Sequence, residues 1–373
     1  AKMWSGRLIL DGAPAKGITS ALVPARRFDG TPFNLASNAG RLYYASLVNG
    51  IGFVIEADEA KGLLRTNSQN EDVLFPYVGG EDVNSSPIHV GSRWIINFHD
   101  WPLSRAERYP DCLEIVRSRV KPSRDRLPNS KRRVRDNWWR YEHEATELYR
   151  QINGLDNVVA ITSVSKWAMP AMVDAKNVFA HTVYVFASDE PGLFGTLSSA
   201  AHSWWTLAYA STLETRLRYT PSTVFETYPL PEELGPDWMP IAAIGERLAS
   251  FRAEFMVRTG LGLTKTYNRM HNPDDHDPSI DYLRDLHVEL DHTVRNAYGW
   301  SDLELDHHHW ETPQGMRFTV SPEAKDELLD RLLELNHQRY AAEVAAGLHD
   351  KKAKKAPVKR KTLPADPAQD TLL

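Results

Sequence analysis

The chain has 373 residues, 42% of them hydrophobic and 25% charged, with a single cysteine. Such a balance belongs to a globular protein of two or three domains; it excludes a collagenous or low-complexity chain, and one cysteine excludes an internal disulfide framework. No apolar run approaches the roughly 20 residues of a membrane-spanning helix, and the opening AKMWSGRLIL does not read as a secretory leader, so a cytoplasmic location is expected. The net charge of −5 is unevenly spread: residues 117–140 carry +8 and residues 351–361 carry +7, leaving −20 for the rest. Positive charge confined to two segments of an acidic chain favours a polyanion met locally, with a solvated helix face and a disordered tail as the plainer alternative.

In chain order, RLYYASLVNGIGFVIEA offers two β-rich runs around Asn49-Gly50, which predicts a hairpin. DEAKGLLR predicts a helical turn or two, DVLFPYVGG a strand stopped by glycines, and RWIINFHDWPL a second strand. Cys112, Ile115, Val116 and Val120 share one helical face, with Cys112 expected as core filler. A basic loop follows, then a helix through NWWRYEHEATELYRQI, with Trp138 and Trp139 as core anchors. NVVAITSVSKWAM and NVFAHTVYVFAS read as strands, and LFGTLSSAAHSWWTLAYA as an aromatic-rich helix. Beyond Pro231 three long segments have 3.6-residue periodicity, placing a boundary near residue 235. The resulting expectation is an α+β fold: a mixed-sheet domain over 1–235, an all-helical domain over 236–346 and a basic disordered tail over 347–373.

The tools of catalysis are hard to find. Neither Gly50-Ile51-Gly52 nor Gly260-Leu261-Gly262 has a third glycine, and no phosphate-binding loop or Gly-x-Ser-x-Gly occurs. His307-His308-His309 cannot all face one ion from a regular element, so no metal site is expected. Asp111 with Asp174 and Lys176 is a weak echo of metal-dependent nucleases and leaves that activity as a remote alternative.

Several blocks together are similar to the MmeI-like adenine-specific DNA methyltransferases of restriction-modification and phage-defence systems. They are DVLFPYVGGEDVN, RWIINFHDWPLSRAERYPDCLEIVRSRVKPSRDR, DNWWRYEHEATELYRQINGLDNVVAITSVSKW, and LFGTLSSAAHSWW followed by RYTPSTVFETYPLP. The resemblance spans roughly residues 30–340. In that family a methyltransferase domain binds S-adenosylmethionine and acts on a flipped adenine through an Asn-Pro-Pro-aromatic motif. Here the only Asn-Pro, Asn272-Pro273, is followed by Asp274-Asp275. The resemblance therefore implies the target recognition and C-terminal regions, inactive alone, with S-adenosylmethionine held by a methyltransferase domain in cis or in a separate subunit, and double-stranded DNA as partner. A binding module without methyltransferase is the alternative.

On that resemblance LRYTPSTVFETYPLP becomes a proline-stiffened strip lying against DNA. Arg216 and Arg218 are the candidates for bidentate guanine contacts, with Thr220, Ser222, Thr223, Ser165 and Lys166 also near bases. Arg117, Lys121, Arg124, Arg126, Lys131, Arg132, Arg133 and Arg135 are the candidate phosphate grips, which position a duplex without reading it.

Overall fold

The computed structural model describes residues 8–10, 13–15, 30–213, 216–233 and 235–350. Of the basic disordered tail foreseen over 347–373, residues 351–373 lie outside them. The fold is α+β. Strands β1 (Leu8–Leu10) and β2 (Ala13–Ala15) pair antiparallel with each other.

Two four-stranded sheets form the first half. One has the order β10-β5-β6-β4, from β4 (Val54–Glu56), β5 (Leu74–Val78), β6 (Arg93–Ile96) and β10 (Val178–Phe179), with β10 parallel to β5. The other has the order β3-β11-β7-β9, all antiparallel, from β3 (Leu42–Tyr44), β7 (Asn157–Thr162), β9 (Ala171–Asp174) and β11 (Val183–Phe186). Five consecutive residues of β7 and all four of β11 are buried, because both strands are covered on both faces. The hairpin expected at Asn49-Gly50 does not form. Both residues do adopt positive φ, 45° and 153°, but the runs they join enter different sheets, β3 beside β11 and β4 beside β6.

Helix α1 (Ala57–Thr66) follows β4, and the short α2 (Gly80–Ser85) follows β5. Around the basic segment the backbone breaks into short helices: α3 (Leu103–Ala106), α4 (Pro110–Arg119), α5 (Lys121–Arg124), α6 (Arg132–Asp136) and α7 (Thr146–Gln151). The helix foreseen from Asn137 onward is thus limited to α7. Trp138 and Trp139 instead turn inward, 7% and 8% exposed, and Trp139 Nε1 donates to Trp101 O at 2.9 Å. Cys112 is fully buried, and burial pushes its thiol up to about 12.

Ser163 is the corner at which the chain leaves β7 for a third sheet, ordered β12-β13-β8, of β8 (Val164–Ser165), β12 (Ser211–Leu213) and β13 (Arg216–Arg218). Its N–H donates to Thr182 O at 2.8 Å, and its carbonyl accepts from Tyr219 N at 2.9 Å. The aromatic helix is two helices, α8 (Pro191–Ser198) and α9 (Ala200–Tyr209), split at Ser199, whose side chain caps the second.

The C-terminal part contains α10 (Trp238–Thr259), α11 (Leu263–Met270), α12 (Pro278–Ala297) and α13 (Pro322–Ala345). It is not all helical: β14 (His308–Thr312) and β15 (Gly315–Thr319) form a hairpin. His308 and His309 therefore stand on a strand, while His307 is buried against Asp291, Nε2 to Oδ2 2.9 Å. One hydrophobic core runs through β7, α8, α9, α10, α12 and α13. Helix α8 lies so close to α10 that a Cβ on Gly245 would sit 2.2 Å from Pro191 O. At the far end α13 clasps the segment at Phe33 and the turn at Thr227: Asn336, fully buried, accepts from Phe33 N and donates to Phe33 O and Thr227 O, at 2.7–2.8 Å.

Four buried histidines make this core sensitive to acid. Desolvation holds His89, His202 and His287 down to about 4 and His271 well below its ordinary value. Each is neutral when folded, and in the unfolded chain each takes up a proton near pH 6.5. Stability is thus complete above about pH 6.5 and falls as the pH drops toward 4, by up to roughly 1.4 kcal/mol per pH unit for each histidine. Urea midpoints at pH 7.5, 6 and 5 should decline in that order; equal midpoints would refute the assignment.

Candidate nucleic-acid interface

An open groove of about 930 Å³ lies between the first and third sheets. One wall is the loop Leu47–Ile51, and the floor includes Tyr77, Asn84 and Ser85 from β5 and α2. The other wall carries Ser163, Ser165, Lys166 and Arg216. Of the seven base-contact candidates the groove thus collects three: Ser165, Lys166 and Arg216. Lys166 is exposed, and its Nζ lies 2.9 Å from Asn268 Oδ1 and 4.4 Å from the Trp167 ring centre, so the ammonium is held at the rim. Ser165 is only 7% exposed and its Oγ accepts from Ala168 N at 2.8 Å; its hydroxyl shapes a turn and leaves little to offer a base.

The alternation of β13 places Arg216 and Arg218 on its exposed face while Leu217 enters the core. Arg218 lies beyond the groove lining, near Tyr184, whose hydroxyl pKa is raised by burial, the Arg218 charge offsetting a small part of the rise.

The strip LRYTPSTVFETYPLP is not the surface ribbon expected. Tyr219, Val224, Phe225, Thr227, Tyr228 and Leu230 are all buried. Tyr219 OH reaches His202 Nε2 at 3.1 Å, and Tyr228 OH accepts from Tyr298 OH at 3.0 Å. The prolines and hydroxyls instead shape a tight turn around which the helices pack. Ser222 and Thr223 stay exposed, Thr220 is half-buried, and none of the three lines the groove.

The basic segment abuts the groove's loop wall. A Cβ on Gly52 would lie 2.6–2.9 Å from Arg119 side-chain and backbone atoms, so only glycine allows the loop to rest on the end of α4. Arg117, Arg126, Lys131, Arg132 and Arg133 are exposed, while Lys121 and Arg135 are half-buried. Many are already paired: Arg117 with Glu114 at 2.9 Å, Lys121 with Asp125 at 2.7 Å, Arg132 with Asp136 at 3.0 Å, and Lys131 with Glu142. Exposed pairs of this kind are worth about 0–1 kcal/mol, so phosphates can displace the carboxylates at small cost.

Arg124 is a correction. It is 2% exposed and cannot touch a phosphate. Its Nη2 donates to Val48 O at 3.0 Å and Asn49 O at 3.3 Å, and its Nη1 to the carbonyls of Asn137, Trp138 and Arg140. It is a strut between the basic segment and the groove wall, a role that residue type and charge count could not distinguish from phosphate binding. Ile51, Asn84 and Arg93 line the groove without having been named as site candidates, and Asn49, which also lines it, was read only as turn chemistry.

Among the described residues no group of three or more His, Cys, Asp or Glu side chains is placed to hold a metal ion. Gly79-Gly80, at the passage from β5 into α2, is a strand-to-helix glycine pair that lines the groove. Its N–H groups are taken by Asp82 Oδ2 at 2.8 Å and Thr182 Oγ1 at 3.0 Å, so it does not fit a nucleotide or S-adenosylmethionine cradle.

This is an α+β architecture with a groove at the junction of its sheets, lined by Arg93, Lys166 and Arg216 and also by Glu81 and Asp82. Residues 41–232, just over half the chain, match the family model described as MmeI, target recognition domain, and the chain belongs to that family. It is 27% identical over 150 residues to DNA methyltransferase A of Bacillus subtilis (strain 168), covering 40% of this chain and 16% of that protein. Its fold is similar to that of the type IIL restriction-modification enzyme MmeI, solved in complex with DNA, with a TM-score of 0.64 and 19% identity. That likeness covers 88% of this chain and 39% of the MmeI chain, so the chain spans well under half the length of either relative.

Proposed function

We propose that the chain is the sequence-reading part of a site-specific adenine-N6 DNA methyltransferase of the restriction-modification type. The observation that carries this reading is the meeting of Lys166 and Arg216 with the loop wall braced on the basic segment, within a target recognition domain. Double-stranded DNA lies in the groove and over the adjoining exposed face of β13; Arg126, Arg132 and Arg133 hold its phosphates, and Arg216 in the groove and Arg218 beside it on β13 meet base edges. Methyl transfer from S-adenosylmethionine belongs to a methyltransferase domain in cis or in a separate subunit. This chain holds the duplex in register while the adenine leaves the stack. The relatives' names and the family support that division.

The test is selection of bound duplexes from a randomised pool. One motif should emerge, and Arg218→Ala should relax it at one base pair, costing about 1–3 kcal/mol there. A pool that stays random, at any salt, would overturn the reading. An equal loss on every sequence would assign Arg218 to a phosphate.

A further inference from the structure

Ile51 is the most exposed large apolar side chain among the described residues, at 86%. It belongs to the loop Leu47–Ile51 and lines the same groove as Lys166 and Arg216. A lone surface isoleucine is ordinary; the loop that carries this one is not. Arg124 grips the carbonyls of Val48 and Asn49 from below, and its guanidinium lies 5.1 Å from the centre of the fully buried Phe53 ring. Phe53 in turn meets Tyr141 edge-on at 5.1 Å. Leu47 and His143 exchange backbone hydrogen bonds at 3.0 and 3.1 Å, and Asn49 Nδ2 reaches Glu142. Gly52 is pressed on Arg119. The tip is therefore fixed from both flanks and from beneath, and its β-branched side chain is stiff as well.

An aliphatic side chain offers a base edge no hydrogen bond. Held rigidly on a groove that also carries Arg93, Lys166 and Arg216, it can act on DNA by displacing stacked bases, as apolar wedges do where side chains enter a base step. We propose that Ile51 is such a wedge, opening one base step of the duplex, with a deformable pyrimidine–purine step as its preferred target. The proposal rests on the DNA-reading function above and adds a distortion that this function does not require.

The experiment uses the duplex selected by the full chain, with 2-aminopurine placed at each purine in turn. Binding should raise emission several-fold at one step only. Ile51→Ser should abolish that rise and weaken binding about tenfold, with the salt dependence and the urea midpoint unchanged because the side chain is outside the core. Ile51→Leu should retain most of the rise. Tight binding by the wild-type chain with no responsive position, or a rise that survives Ile51→Ser, overturns the wedge while leaving DNA reading intact. So does weakened binding on thymine-to-uracil replacement without any emission change, which marks a methyl contact instead. Absence of duplex binding overturns both.

Discussion

Replacing Arg124 with methionine is expected to lower the stability of the folded chain by about 3–5 kcal/mol, the range for breaking a buried charged network. That is a large part of the 5–15 kcal/mol by which domains are ordinarily stable. The guanidinium is buried, burial pulls its pKa down to about 10, and it remains charged at neutral pH. Its donors satisfy carbonyls from two separate segments, Val48–Asn49 and Asn137–Arg140. Methionine fills similar volume but leaves those acceptors without donors in a desolvated site. Lysine keeps the charge yet lacks the planar fork needed to span both segments, so Arg124→Lys should recover less than half of the loss. Urea unfolding measures both variants. An unchanged midpoint, with weakened DNA binding, would return Arg124 to the phosphate contacts from which its burial removes it.

The second large effect is on affinity. The triple variant Arg126→Ala, Arg132→Ala, Arg133→Ala should bind every duplex about 10–100-fold more weakly near physiological salt. The slope of log affinity against log salt should fall in magnitude by about 2–3, since each phosphate contact contributes roughly 0.9 through released counterions. The three side chains are exposed; Arg132 pairs with the exposed Asp136 at 3.0 Å, and Arg133 lies 3.5 Å from a largely buried Glu144 that keeps Arg140 as its partner at 2.8 Å. The urea midpoint should therefore move little, which separates this variant from Arg124→Met. Titration of a labelled selected duplex and a scrambled one, at several salt concentrations, gives the slope. An unaltered slope would place the duplex elsewhere on the molecule.

What the sequence made legible was what depends on period and composition. The strands β5, β6, β7 and β11, the apolar face of α4 and the long C-terminal helices each carry a pattern repeated along the element. What escaped depended on partners distant in the chain. Asn49-Gly50 has turn chemistry, but which sheet each flanking run joins is set by β6 and β11, more than 35 residues away on any count. The hairpin β14–β15 was hidden by its polar, histidine-rich first strand. The most instructive error concerns the strip from Leu217 to Pro231. Its prolines and hydroxyls read as surface, whereas its aromatic residues form part of the largest core cluster. Only two of its exposed polar side chains, Ser222 and Thr223, and the guanidinium of Arg218 still face outward.

The clasp of α13 on Phe33 and Thr227 bears on how such proteins could exchange target preference. Transplanting residues 41–232 alone between relatives would replace Thr227 without the Asn336 that bonds it, and α8 without the face of Trp238 and Ile241 that receives it. A viable graft would have to travel with the helices that seal it, or else change single side chains in the groove and leave every seam closed.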